Sequence, residues 1–328
     1  MKHTRILLAV FVLTTGLLAQ TAPFADHHQH LFSPSIAEAG KITPITAKDV
    51  IGRLDEAGIK RGVLLSVAYQ YGRPGREPQN EYEKVKEEND WVGAQAALYP
   101  ERLVAFCGFN PLKDYALAEL NRCAKNPSTR RGIKMHFGNS DVRLENAEHI
   151  EKLKVIFRAA NTNRMAIVVH MRASISLDRP YGKEQARAFI DHLLPLATDI
   201  TVQIAHTAGS GPGYNDPKAH AFLEALIDAI RTGTPGSKKG SNGVVERSQR
   251  TKNLWFDITS SAYSSNTPEL SALLVKHIRQ IGIKRILYGT DAALQGNFPK
   301  VAWAEVGKLP LSKKELETIA KNRAPYLR

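Results

Sequence analysis

Eight short apolar segments, separated by longer amphipathic ones, constrain the fold of this 328-residue chain more than any other feature. Their β-branched residues and polar boundaries are typical of strands. The predicted strands are PFADHHQ (23–29), RGVLLSVAY (61–69), RLVAFCGFN (102–110), RGIKMHF (131–137), MAIVVHM (165–171), ITVQIAHT (200–207), LWFDITS (254–260) and RILYGTD (285–291). Strands that alternate with helices pair in parallel, and eight such units in about 300 residues predict a closed (β/α)8 TIM barrel.

The segments between the strands include clear helical patterns and two long connections. Helices are predicted at 46–58, 145–163, 218–233 and 267–282, with Thr46 and Thr267 as N-caps. A doubly wound open sheet is the alternative, but it would carry a glycine-rich turn where this chain has HHQHL. Of the two long connections, 69–85 is expected to contact substrate, since it follows a strand, whereas 231–253 is expected to be a basic excursion without a catalytic role.

The N-terminus has the pattern of a leader. Lys2 and Arg5 precede an apolar run at 6–18, which is shorter than the roughly 20 residues that span a bilayer. The pattern predicts a signal peptide over 1–19 and a single mature domain over 20–328. The mature protein would then be periplasmic or secreted and not embedded in a membrane. A short N-terminal helix packed on the body is the alternative.

Charge and cysteine content narrow the partners. The net charge of +13 favours a small anionic substrate, and no nucleic-acid partner is expected because no basic run is interleaved with aromatic residues. An exported protein can carry Cys107 and Cys123 as a disulfide or as two buried thiols, and the sequence leaves both open. The sequence also leaves open whether the protein forms a homo-oligomer.

The stretch DHHQH holds three histidines in the first predicted strand. Because side chains alternate along a strand, Asp26, His28 and His30 are expected to share one face, with His27 pointing outward. Two imidazoles at i and i+2 can converge on one cation such as Zn²⁺. A surface histidine cluster explains this stretch alone equally well.

Other predicted strands end on similar side chains. His170, His206 and Asp291 follow apolar runs at the C-terminal ends of the fifth, sixth and eighth strands. Buried polar groups need partners, and convergence on a metal ion would supply them.

In combination these motifs resemble the amidohydrolase superfamily, in particular its amidohydrolase-related (family 2) branch of metal-dependent hydrolases and decarboxylases. The resemblance runs from Asp26 to the C-terminus. It rests on DHHQH, GIKMH, VVHMR, IAHTAG, LYGTDA and the closing IAKNRAPYL.

The resemblance implies a metal-dependent mechanism. His28, His30, His170 and Asp291 would be metal ligands, and His206 would act beside the metal on the substrate or complete a second site. Three neutral imidazoles and one carboxylate leave a divalent ion net positive, so that it can acidify a bound water, with Asp291 as general base. One ion per chain is expected, with Zn²⁺ preferred.

Several further residues are candidates for the site. Lys134 would bridge two metal ions if carboxylated, as in binuclear members of the superfamily, or would be an ammonium paired with a nearby carboxylate, which we favour. His136 is expected in a loop or behind the ligands. Arg172 could clamp a substrate carboxylate, and Tyr69 and Arg73 in the long connection could contact substrate.

Three functions fit this pattern. Hydrolysis of an ester, lactone or amide bond of a small anionic molecule is favoured, and non-oxidative decarboxylation of a carboxylated substrate is the alternative. A metal-binding or ligand-binding protein without catalysis ranks lower because Asp291 is intact. A metal-dependent nuclease ranks low, since it would be expected to carry an acidic ligand where this chain has GIKMH.

Overall fold

The computed structural model describes residues 21–76, 78–173, 178–232, 251–291 and 298–328. Eight parallel strands form one sheet in chain order, each paired with the next. The strands are β1 Ala25–Gln29, β2 Arg61–Leu65, β3 Leu103–Gly108, β4 Gly132–His136, β5 Ala166–His170, β6 Val202–Ile204, β7 Leu254–Asp257 and β8 Ile286–Leu287. The backbone N–H groups of His27 and Asp291 donate to the carbonyls of Tyr288 and His28, so the chain after β8 meets β1. The predicted (β/α)8 barrel is confirmed.

Helices surround the strands. Those in the described residues are α1 Pro34–Gly40, α2 Ala47–Glu56, α3 Glu81–Ala97, α4 Ala116–Lys125, α5 Ala147–Thr162, α6 Lys183–His192, α7 Pro217–Thr232, α8 Pro268–Ile281, α9 Pro299–Gly307 and α10 Lys313–Lys321. None of these helices combines the length and apolar character needed to cross a membrane.

The four helices for which the sequence predicts residue ranges are confirmed as α2, α5, α7 and α8. Their ends follow from capping. The backbone N–H of Thr46 donates to the Asp49 carboxylate over 2.8 Å, and the Thr267 hydroxyl accepts the N–H of Leu270 over 3.3 Å. Each contact satisfies a group that the first helical turn would otherwise leave unpaired.

The connection predicted over 69–85 is shorter than expected. A 3₁₀ turn at Ala68–Gln70 follows β2, and α3 already begins at Glu81. The face that α3 buries includes Glu88 and Asn89, so its apolar periodicity is weak and the sequence pattern did not reveal it. Most of the second long connection, and the predicted leader, lie outside the described residues.

The C-terminal segment fills the end of the barrel away from the strands' C-termini. Tyr326 and Leu327 pack among inward-facing strand residues that include Val63, Phe106 and Val168. The Tyr326 hydroxyl donates to the side-chain oxygen of Gln203 on β6 over 2.5 Å. This end is therefore a packed core, and open space is left to the opposite end.

The expectation that His27 points outward is wrong. Asp26 pairs with Gly62 and Gln29 with Leu64, so two residues of β1 oppose one residue of β2 in a β-bulge. The bulge breaks the alternation. His27 is fully buried, its ring lies edge-on to Tyr326 inside the barrel, and its Nδ1 is 3.0 Å from the Tyr288 carbonyl oxygen.

Asp26 was expected to share a face with His28, but its carboxylate is engaged by backbone and side-chain donors of β1 and of the segment after β8. It accepts hydrogen bonds from the His28 N–H, the Gln29 amide, and the N–H and hydroxyl of Thr290. These contacts join β1 to the residues after β8, next to the site but not within it.

Cys107 of β3 and Cys123 of α4 form a disulfide, which is one of the two states that the sequence left open. Both residues are fully buried. The bond joins a barrel strand to the helix that follows it.

Candidate metal centre

Five predicted site residues meet at the C-terminal ends of the strands. Ligand atoms of His28, His206 and Asp291 all lie within 4.8 Å of one another. Nε2 of His30 is 3.3 Å from Oδ1 of Asp291, and the ring centroid of His170 is 4.6 Å from that of His206. The fold thus brings together side chains separated by more than a hundred positions in the sequence.

Hydrogen bonds set the orientation of three of these rings. Nδ1 of His28 lies 3.2 Å from the Asp257 carboxylate, Nδ1 of His30 lies 2.5 Å from the Leu65 carbonyl, and Nδ1 of His206 lies 3.0 Å from the Thr259 carbonyl. Oxygen acceptors place the ring proton on Nδ1 in each case. All three histidines therefore present an Nε2 lone pair to the site, which is the form that binds a metal ion.

The protonation states agree with this arrangement. Burial lowers the pKa of His28 to about 3, with the Lys134 charge adding to the effect, and burial lowers the pKa of His206 to about 4. Burial also holds the pKa values of His30 and His170 well below the ordinary histidine range. The four imidazoles are neutral at physiological pH and available as ligands.

Asp291 is held in place by its backbone. It has a φ of 56°, in the left-handed region, and its N–H donates to the His28 carbonyl over 2.8 Å. Two residues earlier, a Cβ at Gly289 would lie 2.3 Å from the Thr259 hydroxyl oxygen, so only glycine permits this close approach of the segments that follow β8 and β7. Burial raises the pKa of the Asp291 carboxyl above its ordinary value, and the nearby Lys134 charge opposes that shift.

The donor set fits a divalent cation. Nε2 of His206 and Oδ1 of Asp291 are buried and have no hydrogen-bond donor among the described residues. Such atoms cost free energy unless a partner is supplied. A cation bound by neutral imidazoles and one carboxylate would be the missing partner of both atoms. Binding it would need no further charged side chain.

Lys134 lies within this cluster. Its ammonium donates to Nε2 of His28 over 3.2 Å, and the carboxylates close to it are those of Asp291 and Asp257. Burial lowers its pKa, against the charges of Asp291 and Asp257. The ammonium thus occupies the lone pair that a metal ion would use.

His136, at the end of β4, packs against one of the candidate ligands. Its ring stacks on that of His170, with centroids 3.9 Å apart and planes 14° apart, and the Tyr69 ring lies 5.2 Å away on another side. Nδ1 of His136 accepts the N–H of Asn139 over 3.1 Å. The neutral ring therefore carries its proton on Nε2, as a donor, unlike the three histidines above.

Asp257 was missed altogether. It ends β7, is fully buried, and accepts hydrogen bonds from the backbone of His206 and the amide of Gln203 as well as lying beside His28. Burial alone would raise its pKa, but the neighbouring His28 and His206 lower it well below the ordinary range. Its position at the C-terminal end of a strand was the same signal that identified His170.

The predicted substrate contacts lie in different surroundings. Nε of Arg172 donates to Asp216 over 2.6 Å, and its guanidinium stacks 4.9 Å from the Tyr181 ring centroid. Tyr69 is buried near Asp291, whose charge adds to the effect of burial in raising the tyrosine pKa. Arg73 lines a separate cavity between α1 and α3.

Comparisons with known proteins show the fold. No family model matches the chain, and no curated protein matches it in sequence. Among solved structures, 5-carboxyvanillate decarboxylase from Sphingomonas paucimobilis superposes with a TM-score of 0.60 and 14% identity, covering 91% of this chain and 96% of that one.

Two other structures are similar to the same extent. A dihydroxybenzoic acid decarboxylase from a Polaromonas species, with bound manganese, gives a TM-score of 0.59 at 14% identity, covering 92% of this chain and 95% of that one. A probable 2-pyrone-4,6-dicarboxylic acid hydrolase from Acinetobacter baumannii gives 0.56 at 16% identity, covering 93% and 97%. The chain therefore has the fold of these proteins over nearly its whole length.

Proposed function

We propose that the protein is a metal-dependent enzyme of the amidohydrolase superfamily, with one divalent ion held by His28, His30, His170 and Asp291. The observation that carries the proposal is that ligand atoms of His28, His206 and Asp291 lie within 4.8 Å of one another, with Nε2 of His30 3.3 Å from Asp291, at the end of the barrel where active sites are built. One of the three similar structures described above holds manganese. Mn²⁺ is therefore tested beside Zn²⁺.

Non-oxidative decarboxylation of a small carboxylated, aromatic substrate is the reaction that we place first. Two of the three similar structures named above are decarboxylases of aromatic acids, and this reverses the order favoured by the sequence. Hydrolysis of an ester or lactone is the second candidate, supported by the third structure. Both reactions require the same metal-binding residues and one proton-transferring group.

Asp291 is placed to move the proton in either reaction. A bound divalent ion would supply Lewis acidity toward the oxygens of the substrate. In decarboxylation the breaking carbon–carbon bond leaves its electron pair on the substrate carbon, which takes a proton from the protonated form of Asp291 as CO₂ departs, and solvent then returns a proton to the Asp291 carboxylate. In hydrolysis Asp291 accepts a proton from the attacking water and returns it to the leaving group.

His206 would act as a proton acceptor or a ligand and not as a neutral donor. Its Nδ1–H is engaged by the Thr259 carbonyl, so Nε2 bears a lone pair. Polarising a substrate oxygen would require the imidazolium form, and burial opposes that form by lowering the pKa to about 4.

The test is to remove metal with a chelator, restore Mn²⁺ or Zn²⁺, and assay CO₂ release from hydroxybenzoates and acid release from esters and lactones. We expect turnover that depends on the added metal and is abolished in Asp291→Asn but retained in Asp90→Asn, a surface control. Full turnover by the metal-free protein would reject the proposal, as would failure to retain any metal.

We also propose that the chain is exported after cleavage of residues 1–19. The buried Cys107–Cys123 disulfide supports this, since disulfides persist in oxidising compartments. N-terminal sequencing of the protein from a periplasmic or medium fraction should begin near residue 20. An intact Met1 on protein from that fraction would contradict the predicted cleavage.

A further inference from the structure

A second feature of the same barrel end is a cavity of about 450 Å³ between α1 and the segment that follows β2. Its volume falls in the range of roughly 300–1,000 Å³ that is usual for sites of small organic ligands. The residues that line it are Phe32, Ile36, Ala39, Gly40, Ile42, Val67, Gln70, Tyr71, Arg73, Arg76, Pro78 and Lys84.

One side of the cavity is apolar. Phe32, Ile36 and Val67 form a buried floor, and Ile42 at its edge remains 45% exposed. Apolar surface is more stable against an apolar ligand than against water. An aromatic or aliphatic group therefore fits this floor better than a sugar or another highly polar group does.

The other side carries three cations, Arg73, Arg76 and Lys84. Within the described ranges, no carboxylate forms an ion pair with any of these side chains, whereas the nearby Lys86 and Lys113 pair with Glu83 and Glu81. The Lys84 ammonium lies 6.0 Å from the Tyr71 ring centroid. Burial raises the pKa of Tyr71, and the Glu88 and Glu87 carboxyl groups lie close enough to add to that effect, but three cations at one rim still attract an anion.

The cavity adjoins the candidate metal centre. Phe32 is two residues beyond His30, and Val67 is two residues beyond Leu65, whose carbonyl lies 2.5 Å from the His30 ring. In the turn after β2, Tyr69 lies near His136, while the following Gln70 and Tyr71 line the cavity. The turn after β2 therefore lies between the cavity and the metal centre.

We propose that this cavity binds the end of the substrate remote from the reacting group, and that this end is an apolar group carrying a second anionic substituent. The substrate class is accordingly an aromatic acid with two anionic groups at opposite ends. One group reacts at the metal centre, and the other pairs with Arg76 and Lys84 at the cavity rim. The inference rests on the proposed function for the identity of the reacting end.

The test compares two ligands that differ only in the second charge. Naphthalene-2,6-dicarboxylate and 2-naphthoate are titrated calorimetrically into the metal-loaded protein. We expect the dianion to bind at least tenfold more tightly, and added salt to reduce this difference because the rim is open to solvent. Equal affinities for the two ligands would overturn the proposal.

Variants assign the difference to the rim. Arg76→Gln combined with Lys84→Gln should remove most of the preference for the dianion while the metal content stays at the wild-type level. Arg158→Gln, an exposed arginine on α5, is the matched control and should retain the preference. A full preference in the double variant would place the second anion elsewhere and reject the proposed site.

The apolar side is tested separately with Ile36→Gln, which should weaken both ligands by a similar factor. Unchanged affinities in this variant would exclude the apolar floor from the site. If only the enzymatic proposal fails, metal-dependent turnover is absent while the charge-dependent difference in binding persists. If only the cavity proposal fails, turnover is present and the two ligands bind alike.

Discussion

The Asp257 carboxylate at the end of β7 lies 3.2 Å from Nδ1 of His28 on β1. This contact holds the ring proton of His28 on the nitrogen that faces away from the site. The same carboxylate accepts the backbone N–H of His206 over 2.8 Å, so one buried residue orients two of the candidate ligands. Carboxylate partners of this kind also raise the basicity of a metal-binding imidazole.

We therefore predict that Asp257→Asn weakens metal binding. An asparagine amide can donate to Nδ1 of His28, which favours the tautomer with a proton on Nε2 and removes the lone pair. The expected loss in metal affinity is about 10–100-fold, measured by competition with a chromogenic chelator. Asp90→Asn controls for the loss of a carboxylate, and circular dichroism checks folding. An unchanged affinity would show that Asp257 does not orient a ligand.

Lys134 gives a prediction for metal stoichiometry and pH. Its ammonium lies 3.2 Å from Nε2 of His28, so a metal ion must displace it. Burial lowers the Lys134 pKa below the usual value of about 10.4, and deprotonation as pH rises removes the competing charge. Metal affinity should thus increase with pH through this lowered pKa, and Lys134→Met should abolish that increase.

The number of bound ions separates the two interpretations of Lys134. Elemental analysis of the wild-type protein should give one ion per chain, and Lys134→Met should still bind one. A wild-type ratio near two, reduced in Lys134→Met, would instead support a carboxylated lysine that bridges two ions.

The barrel could be predicted because each strand is a short apolar run with a helix behind it. The parts that could not be predicted are places where one local rule is overridden. His27 lies inside because a bulge in β1 shifts the alternation by one residue, and a bulge has no clear signature in DHHQH. Helix α3 was hidden because it buries Glu88 and Asn89 on the face that is usually apolar.

For the candidate site, the strand-end pattern identified the residues that meet in space but not the contacts among them. Asp257 fits the same pattern, but LWFDITS forms no part of the family resemblance. The role of His136 depends on the N–H of Asn139 at its Nδ1 and on the ring of His170, which belongs to another strand. Such pairings arise only when the barrel closes.

Glu88 predicts a dependence of stability on pH. Its buried carboxyl group lies against the Ser33 hydroxyl, and burial raises its pKa from 4.5 to about 7. The folded state therefore binds a proton that the unfolded state releases above its own pKa. The free energy of unfolding contributed by this group should fall as pH rises from about 4.5 to about 7, by up to about 3 kcal/mol.

Urea denaturation of Glu88→Gln measures this contribution. Glutamine resembles the protonated carboxyl group, so wild type and variant should have similar stability at pH 5, while the variant should be the more stable at pH 8. Glu83→Gln, an exposed residue on the same helix, should show no such divergence. A constant difference between wild type and Glu88→Gln across this range would contradict the raised pKa.

His136 predicts a hydrogen bond to substrate from a neutral imidazole. Because Nδ1 accepts the Asn139 N–H, the neutral ring carries its proton on Nε2 and donates from that nitrogen. Loss of a neutral hydrogen bond of roughly 1.4 kcal/mol corresponds to about tenfold, so His136→Ala should lower kcat/KM by about this factor with unchanged metal content. His136→Gln retains a donor and should recover part of the loss, whereas His192→Ala on the surface of α6 should have no effect.

Burial holds the His136 pKa well below the ordinary range, so the ratio of wild-type to His136→Ala activity should stay constant between pH 6 and pH 9. A ratio that declines as pH rises would show instead that the imidazolium form contacts the substrate.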